Sequence, residues 1–414
     1  MKKVVLLLAM LPCMLMASAQ VKTVQVVVKN DWGVDKANEP VAVRLSDVKK
    51  LAFEVRGARV MREGREVPCQ LDDMDGDLLM DEVFFLADIK AGETQVFDVE
   101  LMAKEAEGGV EPRIYTALQI RDKQDKHPGV LKVEAAGSSF LFNDIYMHGV
   151  TIESELTGYR IYFDHRQNID LYGKKHRRIE LPETQFYTSV EQLAQGYGVD
   201  VLWAGNAIGC GSFKDWKDGK PENWTDVKVR GQRVVTTGAL RTVVEVYDLG
   251  TKAEDGTLYN MCQRYSLYAG HRDLKVDVTF DKVLDKAFCT GVQKVGVTAD
   301  DSVRRGHLPE GILRADGIAA SWGCDYPDMG KKQQWPPEPV GLAVYVPTEY
   351  VTETTEDDLN YLYVLKADKN ATIHYYVSFC ADKEDDGYHS AKEWFASLDG
   401  WKNGIDHPVK VVVK

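Results

Sequence analysis

The sequence predicts a mainly β protein, a large antiparallel β-sandwich with a short C-terminal helix. Short runs in which apolar and polar residues alternate recur along most of the chain, and such alternation is typical of strands with one buried face. Turn residues separate these runs about every ten residues, a spacing typical of antiparallel sandwiches. Only one segment, near the C-terminus, has a clear helical apolar period. Two large sheets packed face to face would satisfy this pattern and would leave a polar concave face.

The predicted strands share this alternation and lie, in chain order, at 24–29, 41–45, 67–71, 82–87, 94–101, 131–135, 139–142, 146–152, 227–250, 258–281, 341–346 and 371–379. The two long runs are predicted to be antiparallel pairs, and 269–273 is a tight turn inside the second of them. Residues 20–414 are predicted to form a single large domain, with a candidate subdomain seam in the polar loop 103–112.

Capping signals predict two helical segments. Ser189, followed three residues later by Gln192, predicts one helical turn. Ser390, followed by Glu393, predicts the start of the C-terminal helix, which has an apolar face. Gly400 is the predicted end of that helix.

Residues 1–19 predict a secretory signal peptide. Lys2 and Lys3 precede the apolar run 4–16, and a typical A-x-A cleavage site ends at Ala19. Cleavage after Ala19 would leave a mature chain that is periplasmic or secreted.

The balance of charges limits the classes of partner. The chain has 64 acidic residues against 51 Lys and Arg, a formal net charge of −13, so nucleic acid and anionic membranes are not predicted as partners. No C-x-x-C pair occurs, so zinc-ribbon and thioredoxin-like chemistry is not predicted, although export would permit one or two disulfides. No membrane insertion is predicted for the mature chain, and the oligomeric state stays open.

The stretch 148–174 has an alternation that should divide its side chains between two faces. The odd positions are mostly apolar: Tyr159, Ile161, Phe163, Ile169 and Leu171. The even positions are polar or phenolic: Arg160, Tyr162, Asp164, Arg166, Asn168, Asp170, Tyr172 and Lys174. Arginine, tyrosine, aspartate and asparagine together are typical of faces that bind planar anions and sugars. The alternative is the ordinary solvent face of an exposed strand.

This stretch also resembles a known family. Its pattern HG-x-x-x-ES-x-x-x-x-YR-x-YFD-x-R-x-x-ID-x-YGK is similar to the bacterial family known as domain of unknown function 4861, as are segments 70–82, 197–211 and 269–272. The resemblance extends over nearly the whole mature chain. It implies a galactose-mutarotase-like supersandwich and a carbohydrate-active protein that accompanies glycan-degrading systems, but it implies no particular reaction.

Three reactions fit the titratable groups of these segments. β-Elimination on a uronic acid needs a group that neutralises the carboxylate, a base and a proton donor. Glycoside hydrolysis needs two carboxyl groups instead. Epimerisation or mutarotation needs a histidine and a glutamate as acid and base. A fourth interpretation is a periplasmic glycan-binding protein without catalysis.

A lyase acting on uronic-acid-containing glycans or their oligosaccharides is the first choice among these. The candidates for proton transfer are His148, Tyr159, Tyr162 and His271. The candidates for substrate binding are Arg160, Asp164, Arg166, Asn168, Lys174 and Arg272. The carboxyls that would serve a hydrolase are Glu153, Glu155, Asp164 and Asp170. We expect Arg160, Tyr162 and Asp164 to project together into a cleft, with His148 and His271 close by.

Tryptophans in polar, Gly-rich or Pro-rich segments are further candidates: Trp203, Trp216, Trp224, Trp322 and Trp335. Aromatic rings in such loops can form platforms for the C–H faces of sugars. Trp322 and Trp335 are therefore predicted to bind substrate. The alternative is that each ring anchors its loop to the core.

An acidic turn resembles the start of a calcium loop, with carboxylates at Asp73, Asp75, Asp77 and Asp81. Leu78 stands where such a loop needs glycine, and Phe84 stands where it needs a bidentate glutamate. The favoured interpretation is an Asp-Gly hairpin turn. No cofactor is therefore predicted, and calcium is the alternative.

Overall fold

The computed structural model describes residues 20–124, 126–328 and 330–414. The predicted signal peptide at 1–19 lies outside the described residues. The fold is mainly antiparallel β with few helices, as the alternation of apolar and polar residues predicted.

The N-terminal strands and the C-terminal strand form a small sandwich with its own core. One sheet has the spatial order Lys410–Val413, Val21–Lys29, Thr94–Met102, Gly57–Arg62 and Arg65–Val67. The facing sheet has the order Lys36–Arg44, Glu82–Ile89 and Cys69–Asp72. Val26, Val41 and Phe85 are fully buried between the two sheets. The predicted seam, 103–112, falls in the loop where the chain leaves this core.

Nine antiparallel strands form the large sheet of the remaining chain. Their spatial order is Glu310–Leu313, Ile318–Asp325, Glu338–Tyr345, Thr372–Ala381, Leu274–Phe280, Leu258–Tyr268, Arg241–Lys252, Val229–Thr237 and Lys132–Ala136. The predicted turn 269–273 joins two neighbouring strands of this sheet.

Two five-stranded sheets pack against the large sheet. One, here the site sheet, has the order Val199–Asp200, Ile169–Gly173, Gly158–Tyr162, Gly149–Ser154 and Ile114–Ala117. The other has the order Lys220–Glu222, Lys214–Lys217, Phe288–Gln293, Asn360–Leu365 and Val351–Glu356. Ile161, Val276 and Tyr363 come from the three sheets and are fully buried in one common core. The predicted large sandwich is therefore confirmed.

The α-helices described are Val190–Ala194, Asp301–Arg304 and Ala391–Asp406, and single 3-10 turns lie at Leu45–Asp47, Tyr146–His148 and Thr348–Tyr350. Ser189 and Gln192 form the predicted capping box. In the part of the chain described, no helix has the length and apolar character needed to span a bilayer.

The C-terminal helix covers the outer face of the large sheet, where Trp394 packs in an apolar cluster. Ser390 caps it as predicted, its Oγ accepting a hydrogen bond from the Glu393 nitrogen at 3.3 Å. The predicted end at Gly400 is wrong, because the helix continues to Asp406. A glycine inside a helix costs only about 1 kcal/mol, and the residues beyond it continue the apolar face.

Candidate active site

The candidate site is built on a hairpin of two strands, Gly158–Tyr162 and Ile169–Gly173, joined by a turn. Their register places Arg160 directly opposite Asp170. Side chains alternate across a strand, so the odd-numbered residues share one face. That face lies in the common core, where Ile161 and Leu171 are fully buried, as the alternation predicted.

The even-numbered face is covered by other parts of the chain. Arg160 is only 1% exposed, and its guanidinium carbon lies 4.4 and 5.5 Å from the ring centroids of Phe186 and Tyr187. Both rings belong to the segment 175–198, which lies over the hairpin. The expectation that Arg160 projects into an open cleft is therefore wrong, because a second layer packs on the polar face.

Arg160 is the centre of a buried polar network. Its Nε donates to Asp170 Oδ2 at 3.1 Å, and its Nη2 donates to Tyr162 Oη at 2.8 Å and to Asp200 Oδ2 at 3.3 Å. Burial raises the pKa of Asp200, and the neighbouring Asp170 raises it further, while Arg160 opposes both effects. The guanidinium thus compensates two buried carboxylates and fixes the Tyr162 hydroxyl. This geometry makes Arg160 a positioning residue.

His148 and Tyr162 lie side by side at one end of the hairpin, with ring centroids 6.4 Å apart. The His148 ring stacks on Phe142 at 4.0 Å, and its Nδ1 lies 2.8 Å from the Phe142 carbonyl oxygen. Because a carbonyl oxygen only accepts, Nδ1 carries the proton and Nε2 carries the lone pair. Nε2 makes no hydrogen bond with the described residues.

Burial sets the protonation states of this pair. It lowers the pKa of His148, which the charge of Arg160 lowers further, although the Phe142 carbonyl acts in the opposite direction. Burial raises the pKa of Tyr162 well above its usual range, and Asp170 adds to that effect. At neutral pH we therefore expect a neutral imidazole beside a protonated phenol, the states of a general base and a general acid.

The backbone at His148 has an unusual conformation. Met147 and His148 have φ values of 57° and 65°, in the left-handed region that costs non-glycine residues about 1–2 kcal/mol each. At Gly149 the neighbouring strand approaches closely, and an added Cβ would lie 1.9 Å from the Ile161 carbonyl oxygen. Strained backbone of this kind is often found at functional sites. Here it orients the imidazole toward Tyr162.

The turn after Tyr162 supplies a more accessible cation. Asp164 accepts hydrogen bonds from the backbone nitrogen and from Nε of Arg166, at 2.8 and 2.7 Å. The Arg166 side chain is 38% exposed, and its guanidinium carbon lies 5.3 Å from the Tyr162 ring centroid. Asn168 is buried, and its Oδ1 accepts from Lys214 Nζ at 2.8 Å. Arg166 therefore reaches the open side of the site, while Asp164 and Asn168 shape the turn.

His271 lies at the opposite end of the hairpin from His148. Its Nε2 lies 2.9 Å from the Asn38 carbonyl oxygen and its Nδ1 lies 3.2 Å from Asp273 Oδ1. Burial alone would lower the pKa of His271, but Asp273 raises it overall. Five strand residues separate the two ends, a distance of about 15 Å. The expectation that the two histidines lie close together is therefore wrong.

Three further predicted site residues are engaged internally, away from the His148–Tyr162 pair. Tyr159 is fully buried, and its hydroxyl donates to the Arg272 carbonyl oxygen at 2.6 Å. Lys174 is buried in an ion pair with Glu153 at 2.5 Å. The Arg272 guanidinium binds Glu384 at 2.8 Å. The structure does not bring these side chains to the pair, because Tyr159 faces the core and the other two lie at the far end of the hairpin.

The carboxyls considered for a hydrolase are Glu153, Glu155, Asp164 and Asp170. Each binds a cation: they pair, in that order, with Lys174, Arg113, Arg166 and Arg160. Glu153 also accepts two backbone N–H groups at 2.8 and 2.9 Å. All four carboxyls are therefore engaged in internal ion pairs, and burial raises the pKa of Glu153 even though Lys174 opposes that effect.

The two tryptophans predicted to bind substrate are buried. Trp322 lies under the C-terminal helix. The Trp335 indole donates to the Thr188 carbonyl oxygen at 3.0 Å and packs on Tyr187. The interpretation of these two rings as exposed platforms is wrong, because each anchors a loop or helix to the core. Trp203, by contrast, is 42% exposed.

The acidic turn brings together one oxygen each of Asp73, Asp75 and Asp81, all within 4.8 Å of one another. Asp77 is not part of that group. Asp73 Oδ1 accepts from the Gly76 nitrogen at 2.6 Å, and its Oδ2 accepts from the Leu78 nitrogen at 2.8 Å. These bonds are typical of a turn closed by an aspartate side chain.

Sequence reasoning missed four residues of the site: Phe142, Phe186, Tyr187 and Asp200. Residues 139–142 were predicted as a strand, which is wrong, because they form turns that place Phe142 under the imidazole. Phe186 and Tyr187 lie in an irregular segment without periodicity, and Asp200 lies in a strand of only two residues, too short to have a period. The adjacent aromatic pair Phe186 and Tyr187 within a polar segment was the one signal that could have indicated them.

Comparison with known proteins identifies a family and two solved structures. A family model described as "Domain of unknown function (DUF4861)" matches residues 28–411. No curated protein matches. A protein in the glycosyl hydrolase family 38 from Enterococcus faecalis has a TM-score of 0.48 at 10% identity, over 95% of this chain and 47% of its own. An alpha-mannosidase from Enterococcus faecalis V583 has a TM-score of 0.42 at 9% identity, over 95% of this chain and 46% of its own. The chain thus spans about half the length of these solved structures.

Proposed function

Because the chain belongs to the family described as domain of unknown function DUF4861, a description that names no reaction, we propose a function from the site itself. The protein is a carbohydrate-active lyase that cleaves uronic-acid-containing glycans or their oligosaccharides by β-elimination. The observation that carries this proposal is the pairing of His148, with its unengaged Nε2, and Tyr162, with its hydroxyl fixed by Arg160.

The two residues divide the proton transfers of the elimination. His148 Nε2 takes the proton from C5 of the uronate, and the electron pair of that C–H bond forms the C4–C5 double bond. The C4–O bond breaks as this happens, and Tyr162 Oη donates its proton to the leaving oxygen. The imidazolium then returns its proton to the phenolate, directly or through water, and the site is restored.

Arg166 is the group best placed to neutralise the substrate carboxylate, which makes the C5 proton more acidic. Its guanidinium has five N–H donors in a planar fork. Asp164 accepts from only one edge of that fork. Among the described residues the remaining donors make no hydrogen bond, so they can bind a uronate, which planar guanidinium groups bind well.

An aromatic surface beside the pair supports a sugar as the substrate. Phe140 is 66% exposed, and its ring centroid lies 6.0 Å from that of Phe142, which carries the His148 ring on its face. Exposure of a phenylalanine ring to water is unfavourable, and a ligand that covers the ring would remove this cost. The C–H face of a pyranose would pack there while its reacting carbon faces the imidazole.

The test is turnover of a panel of uronate glycans by the purified protein, read both as ultraviolet absorbance of unsaturated products and as new reducing ends. We expect both signals, and we expect His148→Gln to abolish them. The matched control is His176→Gln, since His176 is an exposed histidine paired with Asp385. New reducing ends without ultraviolet absorbance would indicate a hydrolase instead. If neither ultraviolet absorbance nor new reducing ends appeared, the hypothesis of glycan cleavage would be overturned, and an epimerase or a glycan-binding protein would be favoured.

We also propose that the protein is exported, on the strength of the basic, apolar and A-x-A segments at its N-terminus. Mass spectrometry of the mature protein should find Gln20 as its first residue, in part cyclised. Recovery of an intact Met1 from the producing cell would contradict this localisation.

A further inference from the structure

A cavity lies apart from the His148–Tyr162 pair. Its volume is about 360 Å³, within the range of small-ligand sites. The loop 203–207 forms one wall, and the ends of two strands form the others. The lining side chains used below are Trp203, Gln293, Lys294 and Asp325.

The Trp203 ring is presented at the edge of this cavity rather than packed in the core. It is 42% exposed. Gly205 has a φ of 54°, and an added Cβ there would lie 3.0 Å from Trp203 Nε1. The loop therefore folds tightly beside the Nε1 edge of the indole, and part of the side chain stays exposed at the cavity. Indole rings are the largest apolar platforms that a protein offers to the C–H face of a sugar.

Two buried polar side chains of the cavity wall each have one oxygen without a hydrogen-bond partner among the described residues. Gln293 is 5% exposed; its Nε2 donates to the Trp203 carbonyl oxygen at 3.2 Å, but its Oε1 has no hydrogen-bond partner among the described residues. Asp325 is 4% exposed, and its Oδ1 accepts from the Tyr326 nitrogen at 2.8 Å. No hydrogen bond to its Oδ2 occurs within the described chain. A buried acceptor such as Gln293 Oε1 is nearly always satisfied, so it calls for a hydroxyl-bearing ligand or water.

The charges of the cavity decide between a neutral and an acidic ligand. Of the described lining residues, Lys294 and Asp325 carry the charges. The Lys294 ammonium binds Glu356 at 2.9 Å, so it is already neutralised. A uronate carboxylate would therefore meet a lysine already paired with Glu356 and would face the Asp325 carboxyl.

We propose that this cavity binds one neutral sugar ring, stacked on Trp203, with hydroxyls that donate to Gln293 Oε1 and to the Asp325 carboxyl. The cavity is a binding site and not a catalytic one. It does not depend on elimination at His148, because it shares none of that site's residues. A protein with both sites would hold a neutral residue of a mixed glycan at one place and cleave at a uronate in another.

The test is saturation-transfer NMR of the full chain with three probes: methyl β-D-galactopyranoside, methyl β-D-glucopyranoside and D-galacturonic acid. We expect the acid to bind only at the His148 site, so Trp203→Ala should leave its saturation unchanged. At least one neutral glycoside should receive saturation on the ring protons of one face. Trp203→Ala should weaken that binding about tenfold, the loss expected when an aromatic contact worth about 1.4 kcal/mol is removed. Asp325→Ala should also weaken it.

Two matched variants determine whether the glycoside binds at this cavity or at another surface of the protein. Leu308→Ala removes an exposed apolar side chain elsewhere and should bind the glycoside like the parent. His148→Gln should also bind it like the parent, even where it abolishes cleavage. The proposal is overturned if no neutral glycoside binds, if its binding survives Trp203→Ala, or if Trp203→Ala weakens the binding of D-galacturonic acid as much as that of the glycoside. Melting temperatures of all variants establish that each remains folded.

Discussion

At the scale of single residues, removal of the Tyr162 hydroxyl separates its role in proton transfer from the packing of its ring. Tyr162→Phe keeps the ring that lies 4.7 Å from the Arg160 guanidinium carbon and removes only the proton donor. We expect kcat to fall about 10²–10⁴-fold with KM nearly unchanged, the usual loss on removing a general acid. Steady-state kinetics on the best uronate glycan measures both constants. Tyr197→Phe, which removes a hydroxyl from a different hydrogen bond, is the control, and an equal loss there would contradict a specific role.

The variant Arg160→Ala tests whether the face formed by the even-numbered residues of the hairpin stabilises the fold. Arg160→Ala would leave Asp170 and Asp200 buried together without their cation. Removal of one partner from a buried ion pair typically costs about 3–5 kcal/mol, so we expect a strongly lowered free energy of unfolding in urea. Arg177→Ala, at an exposed arginine, should leave the unfolding midpoint unchanged. Retention of full stability by Arg160→Ala would show that the covering layer is open in solution.

Lys214 should make stability depend on pH. Burial lowers its pKa to about 7 from an ordinary value of 10.5. Between those values the unfolded chain binds a proton that the folded chain does not, so the free energy of unfolding should rise with pH, by at most about 1.4 kcal/mol per pH unit. Below pH 7 Lys214 is protonated in both the folded and the unfolded state, so it no longer makes the free energy of unfolding depend on pH.

Urea unfolding of the parent and of Lys214→Met at pH 7, 8 and 9 measures this slope. We expect the variant to have the smaller slope, because the buried titrating group is gone. Lys228→Met, at an exposed lysine, should keep the parent's slope. Equal slopes in the parent and Lys214→Met would mean that Lys214 titrates normally.

At the scale of elements, the alternation in 158–174 predicted which side chains enter the core but not what covers the others. Ile161 and Leu171 face the core because a strand has period two, a local property that the sequence carries directly. The layer that contains Phe186 and Tyr187 is irregular, and its position depends on long-range packing. The alternation breaks at His165 and Gln167, which lie in the turn between the two strands of the hairpin. This six-residue turn preserves parity and so keeps the face assignment correct.

The close approach of the neighbouring strand at Gly149 gives a prediction about how the two strands pack. An added Cβ would lie 1.9 Å from the Ile161 carbonyl oxygen, so Gly149→Ala must push the two strands apart and displace His148. We expect a cost of about 1–3 kcal/mol in urea unfolding and a fall in turnover larger than that loss of stability explains. Gly33→Ala, where an added Cβ meets nothing within 4 Å, is the control. Unchanged turnover in Gly149→Ala would show that the His148 backbone need not be fixed.

At the scale of the whole molecule, the antiparallel sandwich was predictable and its topology was not. Alternation and turn spacing are local signals, so they identified most strands. The pairing of Val26 with Val413 closes the small sandwich across nearly the whole chain, and no local pattern indicates such a contact. The same limit explains why His271 was wrongly placed beside His148: both follow strand-like runs, but only the fold decides which ends of the strands meet.

The junction of the small and large sandwiches gives the last prediction, because the acidic turn lies there. Arg233 Nη1 donates to the Asp75 carbonyl oxygen at 3.0 Å, and Arg264 Nη2 donates to the Met74 carbonyl oxygen at 3.2 Å. These arginines and the turn's own hydrogen bonds hold it without a cation, so EDTA should leave the melting temperature unchanged. A cation bound only to the native state would add about 2.7 kcal/mol at a hundredfold excess over its Kd. A fall in EDTA that calcium reverses and magnesium does not would therefore identify a calcium site. Arg233→Ala should lower the melting temperature and so demonstrate that the measurement senses this turn.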